Sequence, residues 1–597
     1  MKKRVADIVV ETLIENGITD CFSVVGGGAM HLNNAFVLAK KQIRTIYNHH
    51  EQACAMAAEG YARLSGKIAA VCVTSGPGGT NTINGVQGAW VDSIPMIIIS
   101  GHPRYATTVA ETGLKLRTRG VQENDIIAQV KSITKYARLV KEPGEIRAEI
   151  QKAIYIAGSG RRGPVWIDIP LDVQGMMIEE DELRKWSFEL EEGISEKQIN
   201  SLQEMLLQAK RPCLLTGSGI RSGNVEEEYR EFLKDINIPI VGGALLADIN
   251  YNGEKNYYGM SGNVGPRCGN FILQSADLIL VLGNSLAFKQ TGFNQEEFAK
   301  CAKIIMVDAE EDEAKKPGLH VDLAICADLK RFFKACKQKG VKADAPAQWI
   351  EHCNYVLSCL PKYEMLERHG KFEADERVPL YIFWREFLKV AEEDAVFALG
   401  NSGCGLGMLQ EGITHKEQRV LVNYNCGSMG DDLPEAIGAA TAGAKTVYCV
   451  TGDGSIMMNL QELQTIHYYG FPIKVIIFSN EGYGAIRNTC SNFFHGIYTG
   501  CDEESGVSFP DFSKVAEAFR MNFHRCHCIS ELNESLEWLK QNESACILEI
   551  YERIDEIKGP RIESKMDENG VFSTPALHDM SPFFSEEEIS KYLIMPQ

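Results

Sequence analysis

Between Thr446 and Arg487 the chain reads TVYCVTGDGSIMMNLQELQTIHYYGFPIKVIIFSNEGYGAIR, and this stretch leaves few folds open. It begins with an apolar, β-branched run of strand length, Thr446 to Thr451, and breaks at Gly452-Asp453-Gly454. Leu460, Leu463 and Ile466 then recur at helical spacing, and a second buried strand, Ile473 to Phe478, ends in Ser479-Asn480-Glu481-Gly482. Strand, helix and strand in that order make a parallel unit. The C-terminal ends of neighbouring parallel strands lie side by side, which is where ligands bind in such sheets. Both ends carry oxygen donors here, a carboxylate at Asp453 and an amide carbonyl at Asn480. Hard oxygen ligands of this kind suit Mg²⁺, whose remaining positions go to phosphate and water. Gly452 and Gly454 let the backbone approach phosphate closely. On Gly-Asp-Gly alone, an ordinary turn is an equal reading.

The spacing adds to this. Asp453 and Asn480 are 27 residues apart, and the whole segment resembles the thiamine-diphosphate-binding motif, a GDG followed after that interval by Asn. The usual pair of asparagines stands here as Ser479-Asn480, with the ligand position kept. The resemblance implies metal contacts from Asp453, Asn480 and Gly482. It implies cofactor contacts from Gly452, Asp453, Gly454, Ser455, Tyr483, Gly484, Ala485 and Ile486.

Composition narrows the partners. At 597 residues the chain is long enough for three or four domains. A net charge of −19 argues against nucleic acid or an anionic membrane surface, both of which reward an excess of Lys and Arg. The N-terminal MKKRVADIVVETLIENG is interrupted by Asp7, Glu11 and Glu15, so it reads as an amphipathic helix rather than a targeting segment. No apolar run approaches the roughly 20 residues that span a bilayer. The 18 cysteines are scattered singly, without CxxC pairs, which indicates neither a disulfide framework nor a zinc site and suits the cytoplasm.

Helix and strand patterns alternate through three regions, predicting an α/β protein of three doubly wound parallel sheets plus a C-terminal tail. The expected domains are 1–180, 199–340 and 370–555, with acidic or irregular linkers between them and a tail over 556–597. In the first region, strands near Cys21–Val25, Ala69–Thr74 and Met96–Ser100 each end in glycine or a small polar residue. Two pieces stand out there: Tyr47-Asn48-His49-His50-Glu51-Gln52-Ala53 leading into Ala57-Ala58-Glu59-Gly60-Tyr61-Ala62-Arg63, and the glycine-rich Thr74-Ser75-Gly76-Pro77-Gly78-Gly79-Thr80-Asn81.

Taken on its own, Glu51 is a helix-start carboxylate favoured by the helix dipole. HEQ…AAEGYAR…TSGPGGTN, however, resembles the pyrimidine-binding domain of the acetohydroxyacid (acetolactate) synthase-like family and related 2-keto-acid decarboxylases. The resemblance implies that Glu51 hydrogen-bonds N1′ of the cofactor's aminopyrimidine and exchanges a proton there, a task suited to a buried carboxylate. It also implies a cofactor contact at Gly76. Gln122 and His102 are candidates for substrate handling, a structural role being an equal reading for His102.

The second region (Cys213-Leu214-Leu215-Thr216-Gly217-Ser218-Gly219, Ile238–Gly243, Leu278–Gly283, Lys303–Asp308) resembles the family's central domain, which in flavin-containing members binds FAD. GSG at 217–219 reads as a dinucleotide turn or a plain strand-end turn. Lys289 stands near the place of the usual arginine, and Leu171 replaces the lysine that commonly follows the DIP motif. Both departures speak against FAD.

In the third region the strand Ala395–Leu399 ends in Gly400-Asn401-Ser402-Gly403, which the resemblance sets against the diphosphate through Asn401, Ser402 and Gly403. The run NCGSMGDDLPEAIG that follows implies a backbone carbonyl from Gly427 toward the 4′-amino group and Met429 beneath the bent cofactor. Read without the motif, Met429 is core filler. The tail motif Pro575–Pro582 resembles tails that cover the active site in relatives, and a frayed terminus is the alternative.

The resemblance implies an enzyme that decarboxylates a 2-keto acid, pyruvate first, and transfers the two-carbon unit to a carbonyl acceptor. Simple decarboxylation and a non-catalytic homologue are the other two readings. It further implies small-molecule substrates and a homodimer or homotetramer with sites between subunits. Nine residues beyond Asn480, true acetohydroxyacid synthases place a tryptophan; here that position is Thr489. Five residues beyond, where they carry methionine, stands Ala485. The expectation is a roomier pocket, lined by Thr489 and Phe493. Its acceptor would be larger or more polar than pyruvate, such as a keto-sugar nucleotide, with Phe493 or Phe494 refilling the space as the alternative.

Overall fold

The apolar runs of the sequence become the strands of three six-stranded sheets, and every pairing within them is parallel. The computed structural model describes residues 2–187, 193–243, 248–360, 364–401, 403–554, 556, 558–566 and 572–595. The runs are continuous rather than alternating because both faces of each sheet are covered. In the first sheet, Met96 and Ile98 enter one core while Ile97 and Ile99 enter another on the opposite face.

The first sheet runs Arg44–Tyr47, Asp20–Ser23, Ala69–Val73, Met96–His102, Val165–Pro170, Tyr136–Leu139, and the third runs Arg419–Val422, Val396–Leu399, Val447–Gly452, Ile473–Ser479, Cys546–Tyr551, Asn522–Cys526. In chain order both are 2-1-3-4-6-5. The central sheet (Tyr257–Ser261, Ile240–Gly243, Pro212–Thr216, Leu278–Leu282, Lys303–Asp308, Leu323–Cys326) has the order 3-2-1-4-5-6. Each sheet therefore has a switch point where successive connections depart to opposite sides, leaving a crevice at the strand ends.

The first and third sheets share one core. Its middle layer includes helix Glu51–Ser65 packed on helix Asp432–Thr441. A Cβ on Gly438 would lie 2.0 Å from the Ala57 carbonyl oxygen, and one on Gly60 would lie 2.3 Å from that of Glu435. Glycine at both places is what allows the backbones to touch. Arg63 is largely enclosed in this seam, its guanidinium 2.6 Å from Glu59, 2.6 Å from Asp92 and 3.2 Å from Glu435.

Three stretches read as irregular carry structure. Met177–Glu179 forms an antiparallel strand with Lys2–Arg4, a partner too distant in sequence to leave a local signal. Helix Ala347–Cys359, in the expected second linker, buries Trp349, Cys353 and Val356 in the central core. The tail also packs on the central domain. Leu577 and Met580 are buried, and Arg267 and Asn270 hydrogen-bond the carbonyls of Met580 and Leu577 at 3.1 and 3.0 Å, so fraying does not describe this segment. All 18 cysteines are free thiols. Among the described residues no helix is long and apolar enough to cross a membrane.

Candidate active site

The switch point of the third sheet lies between strands Val396–Leu399 and Val447–Gly452, and the oxygen donors foreseen in the sequence stand beside it. Asp453 leaves the end of one strand and Asn480 the end of its neighbour Ile473–Ser479. The Asp453 carboxylate is buried and accepts three backbone N–H groups, from Gly454 at 2.8 Å, Asn480 at 3.1 Å and Gly482 at 3.3 Å. Burial pushes its pKa up to about 7 against the pull of those donors, and the charge of Glu552 adds to the rise. Asn480 gives its Nδ2 to Glu552 Oε2 at 2.8 Å. Its Oδ1 is buried and has no partner. A buried carboxylate with no cation against it and an orphaned amide oxygen are the donors a divalent metal requires, so the residues fit one. Among the described residues no cluster of three His, Cys, Asp or Glu side chains offers a separate metal site. Gly454 is needed because a Cβ there would lie 2.2 Å from the Tyr483 ring.

Around this centre, Ser455 Oγ donates to Asp432 at 2.9 Å and accepts from the Gly430 amide at 2.8 Å. Its hydroxyl thus ties the Met429-Gly430 turn to helix Asp432–Thr441. Asn401 donates to the Gly427 carbonyl, the same oxygen the resemblance assigns to the aminopyrimidine. Gly403 follows Asn401 at the start of the next helical turn, and Ser402 lies outside the described residues. Met429 is half-buried. Tyr483 opens helix Gly484–Phe493, along which Ala485, Ile486, Thr489 and Phe493 are exposed. Phe493 and Phe494 are 59% and 56% exposed.

The first domain gathers its own group. Glu51 is the first residue of its helix and accepts from Asn81 Nδ2 at 3.0 Å, an asparagine of the TSGPGGTN motif. A Cβ on Gly78 would approach Glu51 Oε1 at 3.7 Å, and one on Gly76 would lie 2.8 Å from the carbonyl oxygen of Gln122. Glu51, Gly76 and Gln122 therefore share one corner. His102 is committed elsewhere: its Nδ1 lies 2.9 Å from Asp168, whose other oxygen accepts from Ser100 at 2.6 Å, while Trp166 donates to Ser100 at 2.8 Å. Burial opposes charge on His102, but Asp168 outweighs it and the pKa is raised.

Sequence reasoning missed Glu552 and the buried carboxylates around Arg63. Glu552 reaches Asn480 only because strand Cys546–Tyr551 pairs in register with Ile473–Ser479, bringing Tyr551 opposite Ser479. No local signal announces that pairing.

Two parallel sheets of identical order stand beside a central one, so the fold is that of a three-domain α/β protein. Family models identify the class. One described as thiamine pyrophosphate enzyme, N-terminal TPP binding domain, matches residues 3–130; the central-domain model matches 199–336; the C-terminal TPP binding domain model matches 402–550. The acetolactate synthase large subunit of Haemophilus influenzae is 30% identical over 86% of this chain and 88% of its own length. Acetolactate synthase isozyme 2 large subunit of Escherichia coli is 28% identical over 93% and 96%. The chloroplastic acetolactate synthase 2 of Nicotiana tabacum is 30% identical over 86% and 76%. The chain belongs to the acetolactate synthase-like family of thiamine pyrophosphate enzymes.

Proposed function

We propose that this chain is a thiamine-diphosphate-dependent enzyme that decarboxylates a 2-keto acid, pyruvate first, and transfers the two-carbon unit to a carbonyl acceptor. The observation that carries the metal-assisted site is the partnerless, buried Oδ1 of Asn480 beside the buried Asp453 carboxylate. Thiamine diphosphate, when bound, supplies the nucleophilic carbon and the electron sink that decarboxylation needs. The chain's own residues bind and orient. Asp453 and Asn480 would hold Mg²⁺ for the diphosphate, and the Gly482 amide fixes the carboxylate. Glu51, steadied by Asn81, would hold a proton at its carboxylate oxygen for exchange with the aminopyrimidine.

Glu51 and Asp453 belong to different domains, and we assign the complete site to two chains of a homodimer, or of a tetramer built from it. Exposed Ile486, Phe493, Phe494 and Ile497 beside the site support a covering partner. The small side chains at Ala485 and Thr489 support an acceptor larger or more polar than pyruvate. Tightly bound FAD is not part of this reading. Lys289 lies 4.2 Å above the Tyr424 ring and donates to the Tyr424 carbonyl, and Leu171 stands where flavin-containing relatives carry lysine. Supplying ¹³C-labelled pyruvate with a panel of aldehyde, keto-acid and keto-sugar acceptors tests the function. A labelled, ligated product supports it; labelled acetaldehyde alone would make the protein a simple decarboxylase, and no CO₂ release would make it non-catalytic.

A further inference from the structure

An asparagine amide has two ends of nearly equal shape, and only its neighbours decide which end faces a metal. For Asn480 that neighbour is Glu552. A carboxylate only accepts, so Glu552 Oε2, 2.8 Å from Nδ2, must take the amide's NH₂ end. Oδ1 is thereby left free on the other side. Glu552 is held in turn. Its backbone amide donates to the Ser479 carbonyl at 3.0 Å, and its side chain is 1% exposed. Its second oxygen, Oε1, lies 2.7 Å from Nζ of Lys558. Lys558 comes from the segment beyond the last strand of the third domain. Its side chain lies against Gly403, where a Cβ would meet Cδ and Nζ at 2.5 Å. Glycine at 403 thus makes room for a lysine, and the lysine neutralises a carboxylate that burial would otherwise disfavour.

We propose that Glu552, held by Lys558, is a positioning residue that turns the Asn480 carbonyl oxygen toward the metal, making divalent-cation-dependent loading of thiamine diphosphate depend on this pair. The proposal rests on the metal role of Asp453 and Asn480 given above. It makes a specific claim about polarity. In Glu552→Gln, the new Oε1 keeps Lys558 and the new Nε2 faces Asn480, which must flip and present NH₂ to the cation. In Asn480→Asp, two carboxylates face each other. When Asn480→Asp and Glu552→Gln are combined, the introduced glutamine amide donates to the introduced aspartate carboxylate, and an oxygen again faces the metal.

The test is calorimetric binding of thiamine diphosphate to the full chain across a Mg²⁺ titration, with unliganded thermal midpoints as the fold control. Removing such outer partners typically weakens metal binding about 10–100-fold, and that rise in the half-saturating Mg²⁺ concentration is expected for Glu552→Gln. Lys558→Met should shift in the same direction, and the double exchange should recover most of the loss. A Glu552→Gln variant with wild-type midpoint and Mg²⁺ dependence within twofold of wild type would overturn the proposal. So would a double variant no better than the singles. Wild-type binding that ignores Mg²⁺ would instead remove the underlying metal reading, and the proposal with it.

Discussion

Gly438→Ala probes the seam between the first and third domains, and its cost follows from the geometry. The added Cβ would lie 2.0 Å from the Ala57 carbonyl oxygen, 2.6 Å from the Tyr61 amide nitrogen and 2.9 Å from the Ala57 carbonyl carbon. Ordinary contact begins near 3.4 Å, so helices Glu51–Ser65 and Asp432–Thr441 must separate by about 1.4 Å. All three obstacles are backbone atoms, so no rotamer change relieves them. A Cβ on Gly60 would lie 2.3 Å from the Glu435 carbonyl oxygen, so the backbones are equally close elsewhere on the seam and leave little room for a compensating tilt. Overpacking of this kind costs about 3 kcal/mol or more, or about 6–12 °C in the midpoint of domains this size. Because Glu51 heads one of the two helices, a displacement near 1 Å is also expected to lower kcat about 100-fold. Differential scanning calorimetry and steady-state decarboxylation measure both. A midpoint within 1 °C of wild type with unchanged kcat would show that the close packing does not hold the domains in place.

Three further outcomes are expected. Glu51→Gln should retain thiamine diphosphate, because Glu51 makes no metal contact, yet slow exchange of the cofactor's C2 hydrogen for deuterium by orders of magnitude; an exchange rate close to wild type would point to another glutamate. The seam also carries a pH dependence. Burial raises Glu59 to about 7 and Asp432 to about 6, with Asp431 and Glu435 raised further by burial and mutual repulsion. A carboxyl raised on folding contributes stability below its unfolded pKa and loses it as pH climbs through the folded value. The thermal midpoint should therefore fall between pH 5 and pH 8, and Glu435→Gln should lift it at pH 8 by about 3 °C; a lower midpoint in that variant at pH 8 would contradict the assignment. Thr489→Trp should shift acceptor preference toward pyruvate, and an unchanged acceptor profile together with efficient acetolactate formation by wild type would sink the pocket argument.

The fold was legible wherever a strand is buried on both faces. Val447–Gly452 and Ile473–Ser479 are continuous apolar runs closed by glycine or asparagine, and they lie within a residue of the boundaries read from sequence. Met177–Glu179 was invisible because its partner Lys2–Arg4 is at the other end of the domain. In the site the same rule holds. Asp453 and Asn480 sit on adjacent strand ends of one unit, so their spacing betrayed them. Glu552 and Lys558 act through a strand pairing that no local pattern encodes. Asp431 and Glu435 carried no reading in the sequence, and they are buried where helix Asp432–Thr441 packs on helix Glu51–Ser65. His102 carried two equal readings in the sequence, and its contact with Asp168 comes from the neighbouring parallel strand Val165–Pro170.

The central claim is that Asp453 and Asn480 hold the metal through which thiamine diphosphate binds. Calorimetric titration of thiamine diphosphate into wild type and Asp453→Ala, each with Mg²⁺ and with chelator, tests it most directly. The account predicts saturable binding to wild type only with Mg²⁺, and loss of that binding in Asp453→Ala whether or not Mg²⁺ is present, since the diphosphate would face the site without its bridging cation. Undiminished affinity in Asp453→Ala would contradict it.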